Sequence, residues 1–193
     1  MLRQVLDIFG IVPDYDLRIM REGQSLFDVT TRTMNSLCPV LCEYQPNLVL
    51  VHGDTNTAFA ASVAAFYRHV DVGHVEAGLR TNNIYSPFPE EYNRQAISIV
   101  AKYFFAPTQM ASENLMKENR CADNIFITGN TAIDAMKYTI REDYRSELLD
   151  WAASARLLIV TAHRRENVGG PMRGMLHAVR CVLEDYADVK AIY

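Results

Sequence analysis

Residues 47–57 read NLVLVHGDTNT. The first six, Asn47 to His52, are almost wholly apolar and β-branched, with no polar alternation. That is the pattern of a short strand buried on both faces, the kind found in parallel sheets. Gly53-Asp54-Thr55 breaks the run, and an Ala-rich, helix-like segment follows over residues 56–69. One strand, one tight turn and one helix in about 20 residues make half of a βαβ unit, so the surrounding chain should repeat it.

It does. C-terminally, Asp71 to Val75 forms a second apolar strand, then a long polar loop, then a helix-like segment from Glu90 to Tyr103. Phe104 to Ala106 is a brief third strand. Thr108 caps a helix that ends near Asn119, and Asn124 to Thr128 (NIFIT) is a fourth strand closed by Gly129-Asn130. N-terminally, Leu2 to Phe9 is the end of a helix stopped by Gly10, followed by an extended connector. Ser25 with Asp28 starts another helix that runs to about Tyr44. Pro39, which lacks an amide donor, predicts a kink or break there. After Asn130 come a helix to about Ile140, a charged and mobile stretch over residues 141–150, a strand at Leu157 to Thr161, a helix opened by Pro171 and ending at Tyr186, and a last apolar run at Val189 to Tyr193. Alternating strands and helices imply right-handed crossovers and a mainly parallel α/β sheet. A boundary between residues 130 and 150 divides the chain into a Rossmann-like domain over 1–130 and the start of a second over 131–193. Both ends look cut: no strand precedes the first helix, and no helix covers the last strand.

Composition narrows the partners. A hydrophobic share of 49% and a charged share of 22% suit a soluble globular protein. The formal net charge is −4 and no Lys/Arg cluster tracks a phosphate backbone, so nucleic acid is not expected. The longest apolar run, residues 58–67, is shorter than the roughly 20 residues of a membrane-spanning helix. The N-terminus lacks the parts of a signal peptide, and a cytoplasmic protein is expected. Cys38, Cys42, Cys121 and Cys181 form no CxxC, and the histidines complete no zinc pattern. They read as packed free thiols, with a metal or redox pairing of Cys38 and Cys42 as the alternative.

The chemistry-bearing residues stand at strand ends. Asp54 follows VLVHG, Glu76 follows VGHV, Glu90 lies on the Pro-rich loop 74–94 (HVEAGLRTNNIYSPFPEEYNR), and His163 follows LLIVTA. Parallel strands deliver such residues to one rim, where α/β proteins bind ligands. Carboxylates sharing a cleft raise one another's pKa, so that one serves as acid while another serves as base. Each residue also has a structural alternative. Asp54 suits a helix cap, Glu76 an ion pair with Arg80, and Glu90 and Glu91 the positive end of the following helix. His163 suits a satisfied structural histidine. The run His163-Arg164-Arg165-Glu166 before Gly169-Gly170-Pro171 also suits an anion site at a helix N-terminus, or a solvated basic loop.

Taken in order, VHGDTNT, GHVEAGLRTNNIYSPFPEEYNRQ, FAPT, IFITGNTAIDA and TAHRREN closely resemble the non-hydrolysing UDP-N-acetylglucosamine 2-epimerases of bacteria, through nearly the whole chain. The resemblance implies a B-type glycosyltransferase-like fold: Rossmann-like parallel sheets with helices on both faces, here incomplete at both ends. It implies interconversion of UDP-N-acetylglucosamine and UDP-N-acetylmannosamine for surface polysaccharides, by elimination of UDP to 2-acetamidoglucal and re-addition. No metal or redox cofactor is implied. Asp54, Glu76 and Glu90 match the family's acid/base carboxylates and His163 its cleft histidine, while Arg94 and Arg164 match substrate-binding positions. UDP-N-acetylglucosamine is implied both as substrate and as an allosteric activator, with Gln24, Glu90 and Arg164 at the effector junction. Gly23 stands where an arginine is expected in several relatives, which removes one effector contact. The resemblance also implies a homodimer at full length.

The family's GTRPE-type phosphate loop and its later uridine-binding motifs are absent from these residues, so the chain as it stands is expected to be inactive and only marginally stable. Two alternatives remain: a hydrolysing relative that releases UDP and free N-acetylmannosamine, and a non-catalytic nucleotide-sugar-binding remnant.

Overall fold

The structure is a computed structural model and describes residues 2–162 and 168–193. The chain divides into two compact units, Met1–Met136 and Lys137–Tyr193. The first is built on a four-stranded sheet, β1 (Leu48–His52), β2 (Asp71–Val75), β3 (Tyr103–Ala106) and β4 (Ile125–Ile127), in the order β1-β2-β3-β4. Every neighbouring pair is parallel, as the strand–helix alternation predicts.

The connections are helical: α3 (Asn56–Tyr67), α4 (Glu90–Val100) and α5 (Gln109–Lys117). Each begins where the local chemistry allows it. The Thr55 hydroxyl accepts from the Ala58 amide, and Thr108 accepts from Ala111, each satisfying an orphan donor of the first turn. Two further helices, α1 (Leu2–Ile8) and α2 (Leu26–Tyr44), precede the sheet. Ser25 and Asp28 form the expected capping box at the start of α2. Pro39 does not end α2, which continues to Tyr44. The missing amide costs one hydrogen bond near an exposed stretch, and Gln45 closes the helix in the left-handed region at φ 48°.

The core lies on one face of the sheet. Val51 and Val72 pack with Ala58 and Ala65 of α3 and Ile97 of α4. Phe104 and Ala106 pack with Ala77 and with Ala111 and Leu115 of α5. The opposite face carries Leu48, Leu50, Phe105 and Phe126, of which Leu48, Leu50 and Phe126 are 39%, 60% and 44% exposed. Burial of β1 on both faces, expected from its unbroken apolar run, is therefore not found. Its helical cover comes from one side only, and β1 is an edge strand. A groove of about 440 Å³ crosses the bare face, lined by Asn47, Leu48, Asp71, Tyr103, Phe105 and Phe126.

The second unit begins within α6 (Thr131–Thr139) and contains β5 (Arg156–Ile159), α8 (Gly170–Asp185) and β6 (Val189–Ile192), with β5 and β6 paired in parallel. The end of the stretch 141–150, expected to be mobile, instead enters a short helix, α7 (Glu147–Ala152), capped by Ser146. Its apolar Leu148, Leu149, Trp151 and Ala152 sit in an otherwise charged run, and burial of Ala152 anchors it. Among the described residues no helix is long and apolar enough to cross a membrane.

Candidate functional site

The C-terminal rim of the first sheet brings together Asp54, Glu76 and Arg94. Because β1 and β2 pair with His52 opposite Val75, the next residues on each strand, Gly53 and Glu76, also face each other. The Gly53 amide donates to the Val75 carbonyl at 2.9 Å. A Cβ at Gly53 would lie 3.7 Å from Glu76 Oε2. Two adjacent parallel strands thus bring Glu76 beside the turn that presents Asp54, as expected from their places in the sequence.

Asp54 does not cap α3; Thr55 does, and this leaves the Asp54 carboxylate for other partners. Arg94 Nη1 donates to Asp54 Oδ2 at 2.5 Å. The Asp54 backbone carbonyl accepts from Asn93 Nδ2 at 2.9 Å. The Gly53 carbonyl accepts from His74 Nε2 at 2.8 Å. A carbonyl only accepts, so Nε2 of His74 carries the proton. His74 is fully buried, and burial above all pushes its pKa down to about 4. At neutral pH it is an uncharged strut beneath the turn, with Nδ1 lacking a partner among the described residues.

Glu76 is not the partner of Arg80. Arg80 forms a two-pronged pair with Glu118, at 2.6 and 2.8 Å, and also donates to Ser98 Oγ. Glu76 lies instead beside His52, with Oε2 3.4 Å from Nε2. The same His52 nitrogen is 3.2 Å from the Thr131 hydroxyl, which follows β4. Glu76 holds a left-handed backbone conformation, φ 65°, one that costs a side-chain-bearing residue energy and recurs at functional sites.

Glu90 and Glu91 differ sharply, although the sequence offers them as equivalents. Glu90, the first residue of α4, has one buried carboxylate oxygen with no hydrogen-bond partner among the described residues. Glu91 is completely buried. It accepts from Arg94 Nη2 and Nε at 2.7 and 3.1 Å, from Gln95 Nε2 at 2.9 Å and from the Asn82 amide at 3.2 Å. Burial acts to raise its pKa, but the donors from Gln95, Arg94 and the loop backbone outweigh it and hold the carboxyl below its ordinary value.

Arg94 therefore directs Nε, Nη1 and Nη2 at protein carboxylates and is 7% exposed. Gln24 folds onto its own loop, accepting from the Arg21 amide and donating to the Ile19 carbonyl. His163 and Arg164 lie outside the described residues. Asn93, His74, His52 and Thr131 were not singled out by the sequence, and Glu91 was read only as a favourable charge at the start of α4. The trace of its pairing was the three-residue spacing to Arg94 that places both on one helix face. The ends of β1 and β2 and the start of α4 thus carry three carboxylates in three settings: one gripped by a guanidinium, one beside an imidazole, one with a buried oxygen that has no partner among the described residues. Such differences of environment are what separate acid from base in proton-transfer sites.

Residues 1–193 match the protein-family model described as UDP-N-acetylglucosamine 2-epimerase. The chain is 52% identical to the UDP-N-acetylglucosamine 2-epimerase of Bacillus subtilis (strain 168), covering all of this chain and 51% of the relative. Among solved structures, S. aureus MnaA with UDP superposes with a TM-score of 0.93 at 44% identity, over 100% of this chain and 51% of that one. The UDP-GlcNAc 2-epimerase from Neisseria meningitidis bound to UDP-GlcNAc gives 0.91 at 41%, over 98% and 53%. The chain spans about half the length of the relatives it matches.

Proposed function

Since this chain belongs to the UDP-N-acetylglucosamine 2-epimerase family, we propose that its first unit supplies the acid/base rim of an enzyme that inverts carbon 2 of UDP-N-acetylglucosamine to give UDP-N-acetylmannosamine. The supporting observation is the juxtaposition at the ends of β1 and β2, where Glu76 stands against the turn that carries Asp54. Inversion needs proton transfer at both faces of one carbon. Two or more carboxylates from different elements, each with its own partner, suit that task.

In this reading the reaction begins with elimination of UDP. A carboxylate takes the proton from carbon 2 as the C1–O bond to UDP breaks, leaving 2-acetamidoglucal and UDP. A second carboxylic acid then delivers a proton to the opposite face of carbon 2, and UDP re-adds at carbon 1. Asp54, Glu76 and Glu90 are the groups proposed for these transfers. Roles for His163 at the departing diphosphate, for Arg164 at the substrate and the effector junction, and for Gln24 and Glu90 at an activating second UDP-N-acetylglucosamine extend the same reading, as does a homodimeric whole protein.

The test is the product. The whole protein, incubated with UDP-N-acetylglucosamine in D2O, is expected to yield UDP-N-acetylmannosamine with deuterium at carbon 2, followed by proton NMR. Free N-acetylmannosamine plus UDP would assign a hydrolysing enzyme instead, and no turnover would favour a binding remnant. Asp54→Asn, Glu76→Gln and Glu90→Gln are each expected to lower kcat by about 10²–10⁴, the usual contribution of a positioned acid or base. Near-normal turnover removes that residue from the assignment.

A further inference from the structure

The placement of Arg94 calls for a role other than substrate binding. Its side chain is nearly buried and lies between two carboxylates: Nη2 and Nε on Glu91, Nη1 on Asp54. Glu91, in turn, is fully buried and held from the other side by Gln95 and by the Asn82 amide. A guanidinium is a rigid planar fork, so fixing two of its edges fixes the direction of the third. The order Glu91, Arg94, Asp54 is therefore a chain of charge-assisted bonds running from the helix interior to the rim. Asn93, on the same turn of α4, holds the backbone of the residue that Arg94 holds by its side chain.

We propose that Glu91 is a positioning residue that acts through Arg94, and that Arg94 is the clamp which fixes the Asp54 carboxylate, not a ligand of the sugar nucleotide. This rests on Asp54 serving as an acid/base group. Without Glu91 the guanidinium can swing away, and the Asp54 carboxylate turns from its working direction. Displacement of a reacting group by about 1 Å costs on the order of 10²-fold in rate while leaving binding largely intact.

The test is made on the whole protein. Glu91→Gln is expected to lower kcat at least about tenfold with KM within about twofold. In an Asp54→Asn background the same substitution is expected to change kcat less than about twofold, because its effect travels through Asp54. Additive losses overturn the proposal, as does a raised KM with unchanged kcat, which would make Arg94 a substrate ligand. Arg94→Lys keeps the charge but loses the fork. It is expected to match Glu91→Gln and decides the matter if that variant does not fold.

A second readout needs no turnover. With 15N-labelled arginine, the wild type is expected to show separate Arg94 Nη signals from a guanidinium held on both edges. These merge in Glu91→Gln if the clamp exists, and an unchanged spectrum overturns it. Should the wild type prove inactive, the proposed function fails on its own, and the arginine spectra alone decide whether Glu91 fixes Arg94.

Discussion

Glu76 carries its carboxylate on a backbone that favours glycine, φ 65°. A side chain in that region costs roughly 1–2 kcal/mol. The conformation aims Glu76 at the turn after β1, next to Gly53. Glu76→Gly is therefore expected to stabilise the fold by about 1 kcal/mol. The exposed His52 contact that it removes contributes between 0 and about 1 kcal/mol. Urea unfolding checks this, and a clear loss of stability would count against the strain. Glu76→Gln keeps the strain and is expected to change stability little while lowering kcat by about 10²–10⁴.

His74 gives the molecule a pH dependence. Its folded pKa, about 4, lies below the ordinary 6.5, so the unfolded chain binds the extra proton more readily. Its contribution is fully present above pH 6.5 and is lost as pH falls, reaching about 3 kcal/mol at pH 4. The groups that act on it are the Gly53 carbonyl, Arg80, Asp54 and His52. Glu91, also held below its ordinary value, adds to the loss at lower pH. Denaturant midpoints measured from pH 7 to pH 4 should fall, and His74→Gln should flatten the upper part of that slope.

At the scale of elements, four helix starts follow from single residues. Ser25, Thr55, Thr108 and Ser146 each receive an amide of the first turn. Ser25→Ala is expected to cost about 1 kcal/mol, checked by urea unfolding followed through helical circular dichroism. Packing between elements is less forgiving. Gly78 follows β2 at φ 88°, and a Cβ there would stand 2.2 Å from the Ala111 carbonyl oxygen of α5. That oxygen belongs to a helix backbone buried against the sheet, so it cannot swing aside. Gly78→Ala combines left-handed strain with overpacking and is expected to cost about 3 kcal/mol or more. Arg80, two residues on, ties the same loop to Glu118 just beyond α5. The loop's exit from β2 is thus fixed from both sides before it reaches Glu90.

At the scale of the whole molecule, the two faces of the first sheet differ. One is packed by α3, α4 and α5. The other shows Leu48, Leu50 and Phe126 around a groove, and β1 and β4 are its edges. Exposed contiguous apolar surface of this kind binds other apolar groups. The folded chain is expected to enhance the fluorescence of an anilinonaphthalene sulfonate dye several-fold in native buffer. Leu50→Lys should reduce that signal without lowering the unfolding midpoint, since Leu50 is mostly exposed already. An unchanged signal would place the dye elsewhere.

The sequence by itself determined the elements and their order. Apolar runs the length of one strand, helix caps and turn residues act within a few positions, so their physics is local and readable. It also determined that Glu76 would stand beside the turn carrying Asp54, because both follow strands of one parallel sheet. Burial was less legible: the run at residues 48–52 looks the same whether one face is covered or two. What only the tertiary structure decided is which charge answers which. Arg94 reaches Asp54 across 40 positions and Arg80 reaches Glu118 across 38, and neither pairing leaves a local pattern. Ion pairs form by distance in space and by which carboxylate is buried. That is why Glu90 and Glu91, neighbours in the sequence, end as a carboxylate with one buried oxygen that has no hydrogen-bond partner among the described residues and a buried anchor.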